Sequence, residues 1–340
     1  MCVSNSWFPR GLTSFFRGEY HRLVKQGCKL RRVFFAATFF FLILPPGSRI
    51  AWAQVSEQAY VERIGSLLDA ARNDAALAEA RRAVEQYPKS STLQQLLGAA
   101  CFKQGLRTEA RQAFRRAMEL DPTVAQNYFN LALVDLSENS YAAAAKSLEK
   151  YLSLQPGNAQ ARVLLGRAYH NLNRTLPAIE QFQKALELAP HLPLAHYHLG
   201  YAYQSQGNLT AALAEYREEM KQNPGFANAY WLGGNIELGR RNLEAAENLF
   251  RGALSVQAKA VEAEYGLARV FVARKQLAQA EQALRRVIEL KPDHLEAHYA
   301  LARTYQQLGK KQEAEREYRI VAELHARGGN RQSGIAGQHP

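Results

Sequence analysis

Five histidines, His191, His196, His198, His294 and His298, are the residues of this chain with the most evident capacity for metal chemistry. His294 and His298 are four apart, a spacing that puts two imidazoles on one face of a helix. The segment reads HLEAH, however, with its glutamate one position too late for the HExxH arrangement of a metal-dependent hydrolase. His196 and His198 are two apart, and on a helix their side chains diverge. Phosphate chemistry needs a glycine-rich anion cradle, and neither GxxxxGK[ST] nor GxGxxG occurs; no serine sits in a GxSxG elbow. The cysteines are Cys2, Cys28 and Cys101, too few and too scattered for a metal knuckle. These residues predict no catalytic centre, no metal site and no cofactor.

The elements that carry these residues begin after a distinct leader. Lys29-Leu30-Arg31-Arg32 precedes the uncharged run VFFAATFFFLIL, which ends at Pro45-Pro46 and is followed by Ala51-Trp52-Ala53. A membrane-crossing helix needs about 20 apolar residues, and the two prolines cut this run short. The basic, apolar and small-residue order is that of a secretory signal peptide with an A-x-A cleavage site, which makes residues 1–53 a leader with a long basic start. The expected product is exported, periplasmic or secreted, with no membrane span; an uncleaved inner-membrane anchor is the alternative. Removal of the leader leaves Cys101 alone, so no intrachain disulfide can form. The leader also accounts for much of the charge excess, Lys plus Arg being 43 against 31 for Asp plus Glu: eight basic residues in 1–53 face the single acid Glu19. The remainder is close to balanced, which argues against a nucleic-acid partner.

The rest of the 340-residue chain is periodic. Pro88, Pro122, Pro156, Pro190 and Pro224 are spaced 34 apart, and Pro292 lies two periods on. Alanine recurs in one phase at 76, 110, 144, 178, 212, 246, 280 and 314. A third column holds Gly98, Ala132, Gly166, Gly200, Gly234, Ala268 and Ala302, and a fourth Phe114, Leu148, Phe182, Tyr216, Phe250, Leu284 and Tyr318. Small residues mark close helix crossings, large ones fill the space beside them, and proline ends the second helix. Gly105, Asn139, Asn173, Gly207 and Gly309 fall between the two helices, where a left-handed residue ends the first. Each period is therefore a helix–turn–helix.

In these columns the chain resembles the tetratricopeptide repeat (TPR) proteins. The resemblance covers eight units, 57–90, 91–124, 125–158, 159–192, 193–226, 227–260, 261–294 and 295–328, within 54–328. It implies an all-α fold, a right-handed α-solenoid of about eight 34-residue repeats. Unit one departs, with Arg63 and Ile64 where later units have leucine and a small residue, as if shifted by one toward Ile64-Gly65. Asp135 and Glu237 occupy a slot that elsewhere holds Tyr169, Tyr203, Phe271 and Tyr305; a carboxylate there must find a partner or shift its pKa, so each is either a local hydrogen-bonding device or a mis-packed edge. The last helix, about 312–326, has a polar side suited to closing the stack, and 329–340 reads as a flexible tail. The histidines fit a repeat position that favours His or Tyr: Tyr128, His196, Tyr230 and His298.

In the TPR family the first helix of each unit lines the concave face. The resemblance carries the groove to Tyr197, Tyr201, Trp231, Asn235, Tyr265, Arg269, Tyr299 and Arg303, an aromatic ladder with guanidiniums beside it. Aromatics and arginine are the residue types that dominate binding hot spots. The resemblance thus implies a non-enzymatic scaffold that takes a protein or peptide segment, within an envelope assembly, secretion or polysaccharide-export system of a bacterium. A carbohydrate-polymer module that stacks sugars on the ladder is the other reading. N-terminal sequencing of the protein recovered from the host envelope should begin at Gln54; a membrane-bound product that retains 33–44 would establish the anchor instead.

Overall fold

The computed structural model describes residues 55–336, so the leader expected over 1–53 lies outside the described residues. Sixteen α-helices and no strand occur among the described residues. The chain divides into two compact units, Met1–Pro156 and Gly157–Pro340. The first contains α1 (Glu57–Asp69), α2 (Asn73–Gln86), α3 (Ser91–Lys103), α4 (Arg107–Leu120), α5 (Ala125–Ser137) and α6 (Tyr141–Leu154). The second contains α7 (Ala159–Asn171), α8 (Thr175–Leu188), α9 (Ala195–Ser205), α10 (Leu209–Gln222), α11 (Ala227–Gly239) and α12 (Leu243–Val256). It continues with α13 (Val261–Ala273), α14 (Leu277–Leu290), α15 (Leu295–Gln307) and α16 (Lys311–Ala336). Within each unit every helix packs on the next, and alternate helices such as α1 and α3, or α7 and α9, also touch.

The helix pairs form because small and large side chains alternate at their crossing. A Cβ added to Gly98 would lie 2.7 Å from Phe114, and one on Gly166 would lie 2.6 Å from Phe182, closer than real Cβ contacts allow. Gly200 faces Tyr216 and Gly234 faces Phe250 in the same way. Where the first helix offers Ala132 or Ala268 instead, the opposing column holds the smaller Leu148 or Leu284, both fully buried. The eight alanines from Ala76 to Ala314 are buried throughout. The pairs from Gly98/Phe114 to Ala268/Leu284 thus keep nearly one total volume while the chemistry varies; in the last pair Ala302 faces the larger Tyr318, whose ring stays half-buried.

The first pair achieves this volume in reverse. Ile64 stands in the small-residue column and is fully buried, while the opposing column holds Ala80, also fully buried in the same core. Unit one is therefore not displaced by one residue: Ala71, in the same phase as Gly105, takes the left-handed conformation at φ 55°. The bulky residue has changed helices and the frame has stayed.

The turns between paired helices are left-handed, as expected, at Gly105, Asn139, Asn173, Gly207 and Gly309, and equally at Arg241 and Lys275, which carry no residue-type signal for it. In each, the amide that follows reaches back to a carbonyl near the end of the first helix, as in Ser140 N–H to Asp135 O at 2.8 Å and Gln276 N–H to Phe271 O at 2.9 Å. That bond satisfies an otherwise orphaned carbonyl and forces the left-handed residue. At the start of α9, Pro193 shortens the helix to 11 residues, and Leu194 enters at φ 65°.

The end of the chain differs from expectation. Instead of giving way to a flexible tail after Gly328, α16 runs 26 residues to Ala336. Gly328 and Gly329 each cost only about 1 kcal/mol in a helix, and no proline follows them before Pro340 to stop it.

The size rule gives a direct test. Gly166→Ala should destabilise the protein by about 1–3 kcal/mol in urea unfolding through overpacking against Phe182. Combined with Phe182→Leu, which recreates the Ala132/Leu148 pair, it should cost less than the two single changes added together.

Candidate interaction groove

The residues expected to line a groove lie on the first helices α9, α11, α13 and α15, and the structure treats them unequally. Tyr197 is only 7% exposed. Phe226 meets it edge-on at 4.9 Å, Tyr216 lies 6.3 Å away and Tyr201 6.4 Å, and burial pushes the phenol's pKa up to about 12. Tyr197 is thus a packing residue and not a rung of a surface ladder. Its own repeat covers it, because Phe226, on the turn that ends the unit, folds over the ring. Trp231 is half-buried and donates its indole N–H to Asn228 Oδ1 at 3.2 Å.

Farther along the chain the expected residues come together. Arg269 donates to Asn235 Oδ1 at 3.0 Å across one repeat and places its guanidinium 6.0 Å from the Tyr265 ring centre. Tyr265 is half-buried, and burial raises its pKa. Tyr265, Tyr299 and Arg303 then share a groove of about 550 Å³ with Val272, Val321 and His325. Tyr299 is 49% exposed and Arg303 is exposed. The lining is largely apolar, with the Arg303 guanidinium and the Glu296 carboxylate both on it, which suits a segment that presents an apolar side chain beside polar groups. Val321 and His325 come from α16, whose sequence pattern predicts only a polar closing helix. The signal was an apolar residue at 321 on a helix that no proline ends.

The two carboxylates that replace the ring in this packed slot both have partners. Asp135 is buried and accepts from Arg111 Nε at 3.0 Å and Nη2 at 2.9 Å, and the same guanidinium pairs with Glu138. Burial nonetheless outweighs the arginine and raises the Asp135 pKa. Glu237, also buried, accepts from Arg217 at 2.8 Å and from Asn242 at 2.7 Å. In the equivalent slot of a later repeat Tyr305 accepts from Arg285 at 3.0 Å. The slot therefore receives a donor from the preceding second helix whichever acceptor it holds.

The histidines are built into the repeats. His196 Nδ1 lies 2.7 Å from Glu215 Oε2 and His298 Nδ1 lies 2.6 Å from Glu317 Oε2, each pair joining the two helices of one repeat. His298 Nε2 also lies 3.0 Å from the carbonyl of Pro292. His198 stacks on Phe182 at 5.7 Å, and burial holds its pKa well below the usual value. Among the described residues no group of three metal-binding side chains converges.

Models of the tetratricopeptide repeat match residues 64–125 and 197–260, a second such model matches 125–158, and a TPR-repeat model matches 177–207. The chain carries tetratricopeptide repeats. A model of subunit 3 of the anaphase-promoting complex, the cyclosome, also matches 239–319 of this TPR chain. BBSome complex member BBS4 of Xenopus tropicalis is 35% identical over 95 residues, 28% of this chain but only 18% of that protein. Among solved structures, the Cut9–Hcn1 hetero-tetramer of the anaphase-promoting complex superposes with a TM-score of 0.54 at 17% identity, covering 72% of this chain and 48% of that one. MamA is 26% identical with a TM-score of 0.47, covering 48% of this chain and 95% of its own. The chain spans less than half the length of the BBS4 and Cut9 proteins, and the structural likeness is one of fold.

The His196–Glu215 pair has a pH signature. The hydrogen bond to Glu215, more than any other influence, raises the His196 pKa, against the opposing effect of burial. A raised folded pKa contributes stability in full below the unfolded value of about 6.5 and loses it as pH rises through the folded value. His196→Gln should therefore cost most stability in mildly acidic buffer, and the gap to the parent protein should narrow steadily in urea titrations carried toward alkaline pH.

Proposed function

We propose that this TPR protein is a non-enzymatic scaffold that holds a peptide or protein segment in the groove between α13, α15 and the final helix α16. The observation that carries this reading is the convergence of Tyr265, Tyr299 and Arg303 on one cavity, where Tyr299, 49% exposed, stands beside an exposed guanidinium. Large aromatic area and arginine are what concentrate binding energy at protein interfaces. The proposed setting is the bacterial cell envelope, on the strength of the leader-like segment at 1–53. Stacking on a sugar polymer would require exposed rings on successive repeats; Tyr197 is buried and Trp231 and Tyr265 are half-buried, so the peptide reading has the better support. Asn235 and Arg269 complete the strip by bracing Tyr265, and Tyr201 marks its far end beside the buried Tyr197.

Peptides selected from a displayed library on the parent protein should bind Tyr299→Ala or Arg303→Ala more weakly by about 2 kcal/mol if either residue is a hot spot, with Tm unchanged. Tyr197→Ala should do the reverse, lowering Tm with little selective loss of binding. Retention of glycan polymers in affinity electrophoresis, abolished by the same Tyr299 change, would favour the sugar reading.

A further inference from the structure

His298 is buried, and both of its ring nitrogens face acceptors: Nδ1 lies 2.6 Å from Glu317 Oε2, and Nε2 lies 3.0 Å from the Pro292 carbonyl oxygen. A neutral imidazole carries one N–H and one lone pair. Beside an ionised Glu317 it satisfies one acceptor and turns its lone pair on the other. The geometry therefore calls for one proton more than a neutral histidine and a free carboxylate hold between them, whether that proton sits on the ring or on Oε2. The fifth repeat has the same arrangement: His196 Nδ1 lies 2.7 Å from Glu215 Oε2, and the ring also bonds to the carbonyl of Pro190. Tyr128, in the same repeat position, reaches the Pro122 carbonyl with its hydroxyl at 3.2 Å. A phenol makes that contact throughout the neutral range, whereas histidine makes it depend on pH. The other charged groups on the elements around His298 are paired elsewhere or stand in solvent. On α14, Arg285 binds Tyr305 and Glu281, and Arg286 lies 3.2 Å from Glu264 of α13. His294 lies 3.2 Å from Glu296, while Lys291 and Asp293 of the turn, Arg303 of α15, and Glu313 and Arg316 of α16 are exposed.

The pair sits where the two walls of the groove join. Tyr299, next in the chain to His298, lines the cavity from α15, and Val321, one turn past Glu317, lines it from α16. The rings of Tyr299 and Tyr318, each adjacent in sequence to a member of the pair, lie 6.1 Å apart. We infer that His298 and Glu317 form a proton-operated clasp that holds α16 against α15 and so sets the width of the groove, closed while the extra proton is bound and loosened when it is lost as pH rises. The inference rests on the groove reading above and adds its regulation. Loss of the proton leaves a buried acceptor facing a lone pair, a cost that parting of the helices and entry of water relieve. A segment that fits the closed groove is thus held in mildly acidic surroundings and let go in alkaline ones.

The test is hydrogen–deuterium exchange of the full protein at about pH 5.5 and about pH 8.5, either side of the ordinary imidazole value near 6.5, corrected for intrinsic rates and read over α15 and α16. The amides of α16 should exchange roughly fivefold faster or more in the alkaline buffer. His298→Gln, whose amide does not titrate, should abolish that difference, and His325→Gln, which removes the titratable ring of the groove itself, should preserve it. Should His298→Gln fail to fold, Glu317→Gln serves with the same expectation, because its amide donates to Nδ1 of a neutral ring and leaves both nitrogens satisfied without an added proton. A difference that is absent from the parent protein, survives His298→Gln or vanishes with His325→Gln overturns the inference. A fluorescein-labelled peptide selected from the displayed library in the acidic buffer, and dependent on Tyr299, should bind the parent roughly threefold more weakly or worse in the alkaline buffer, and His298→Gln equally in both. Equal affinity of such a peptide for the parent in the two buffers also overturns the inference. If no selected peptide depends on Tyr299 while the exchange difference stands, the groove reading fails and the clasp remains.

Discussion

Everything in this structure depends on how closely the two helices of a repeat can cross. Glycine at 98, 166, 200 and 234 lets an aromatic ring lie directly on backbone. Where alanine replaces glycine at 132 and 268, leucine replaces the ring. Protein interiors tolerate neither a void nor an overlap of even one methylene without cost, so the two columns change together wherever the large residue is fully buried. The Ile64/Ala80 pair shows that volume is what is held constant, since the large residue can move to the other helix without disturbing the turn at Ala71. With the crossing distance fixed, equivalent positions of successive first helices in a unit fall in line, and a continuous surface becomes possible.

Polar groups inside the stack follow a second rule. Asp135, Glu237 and Tyr305 occupy one repeat position and each draws an arginine from the second helix of the preceding repeat. A buried carboxylate without that donor would shift its pKa upward and favour the protonated form; Asp135 does so in part even with it. The His–Glu pairs at 196/215 and 298/317 link the two helices of a single repeat. One device joins neighbours and the other joins halves of a unit. Both occupy chemistry-bearing residues that a search for a catalytic or metal centre would otherwise count.

Among the described residues, an exposed aromatic and an exposed guanidinium meet on one cavity near the C-terminal end. Arg269 is committed to Asn235 and Tyr265, whereas Arg303 faces the cavity shared by Tyr299 and Val321. Val321 and His325 of α16 supply one wall of that cavity.

The repeat frame, the helix–turn–helix content, the small-against-large columns and five of the left-handed turns were all legible in the sequence, because backbone geometry at close crossings and at helix ends admits few residue types. The polar occupants of the packed slot were legible as anomalies, though their arginine partners, 20 to 24 residues away, were not. Three matters were decided only in three dimensions. Tyr197 and Tyr299 stand in one column, yet Phe226 covers the first and nothing in the described chain covers the second; periodicity places a side chain on a face but does not say what packs over it. Arg241 and Lys275 adopt left-handed turns because the carbonyl at the helix end must be satisfied, whatever residue occupies the slot. The compensation between Ile64 and Ala80 joins positions 16 apart whose relation is purely one of contact, so an exchange of volume between helices read along the chain as a slip of register.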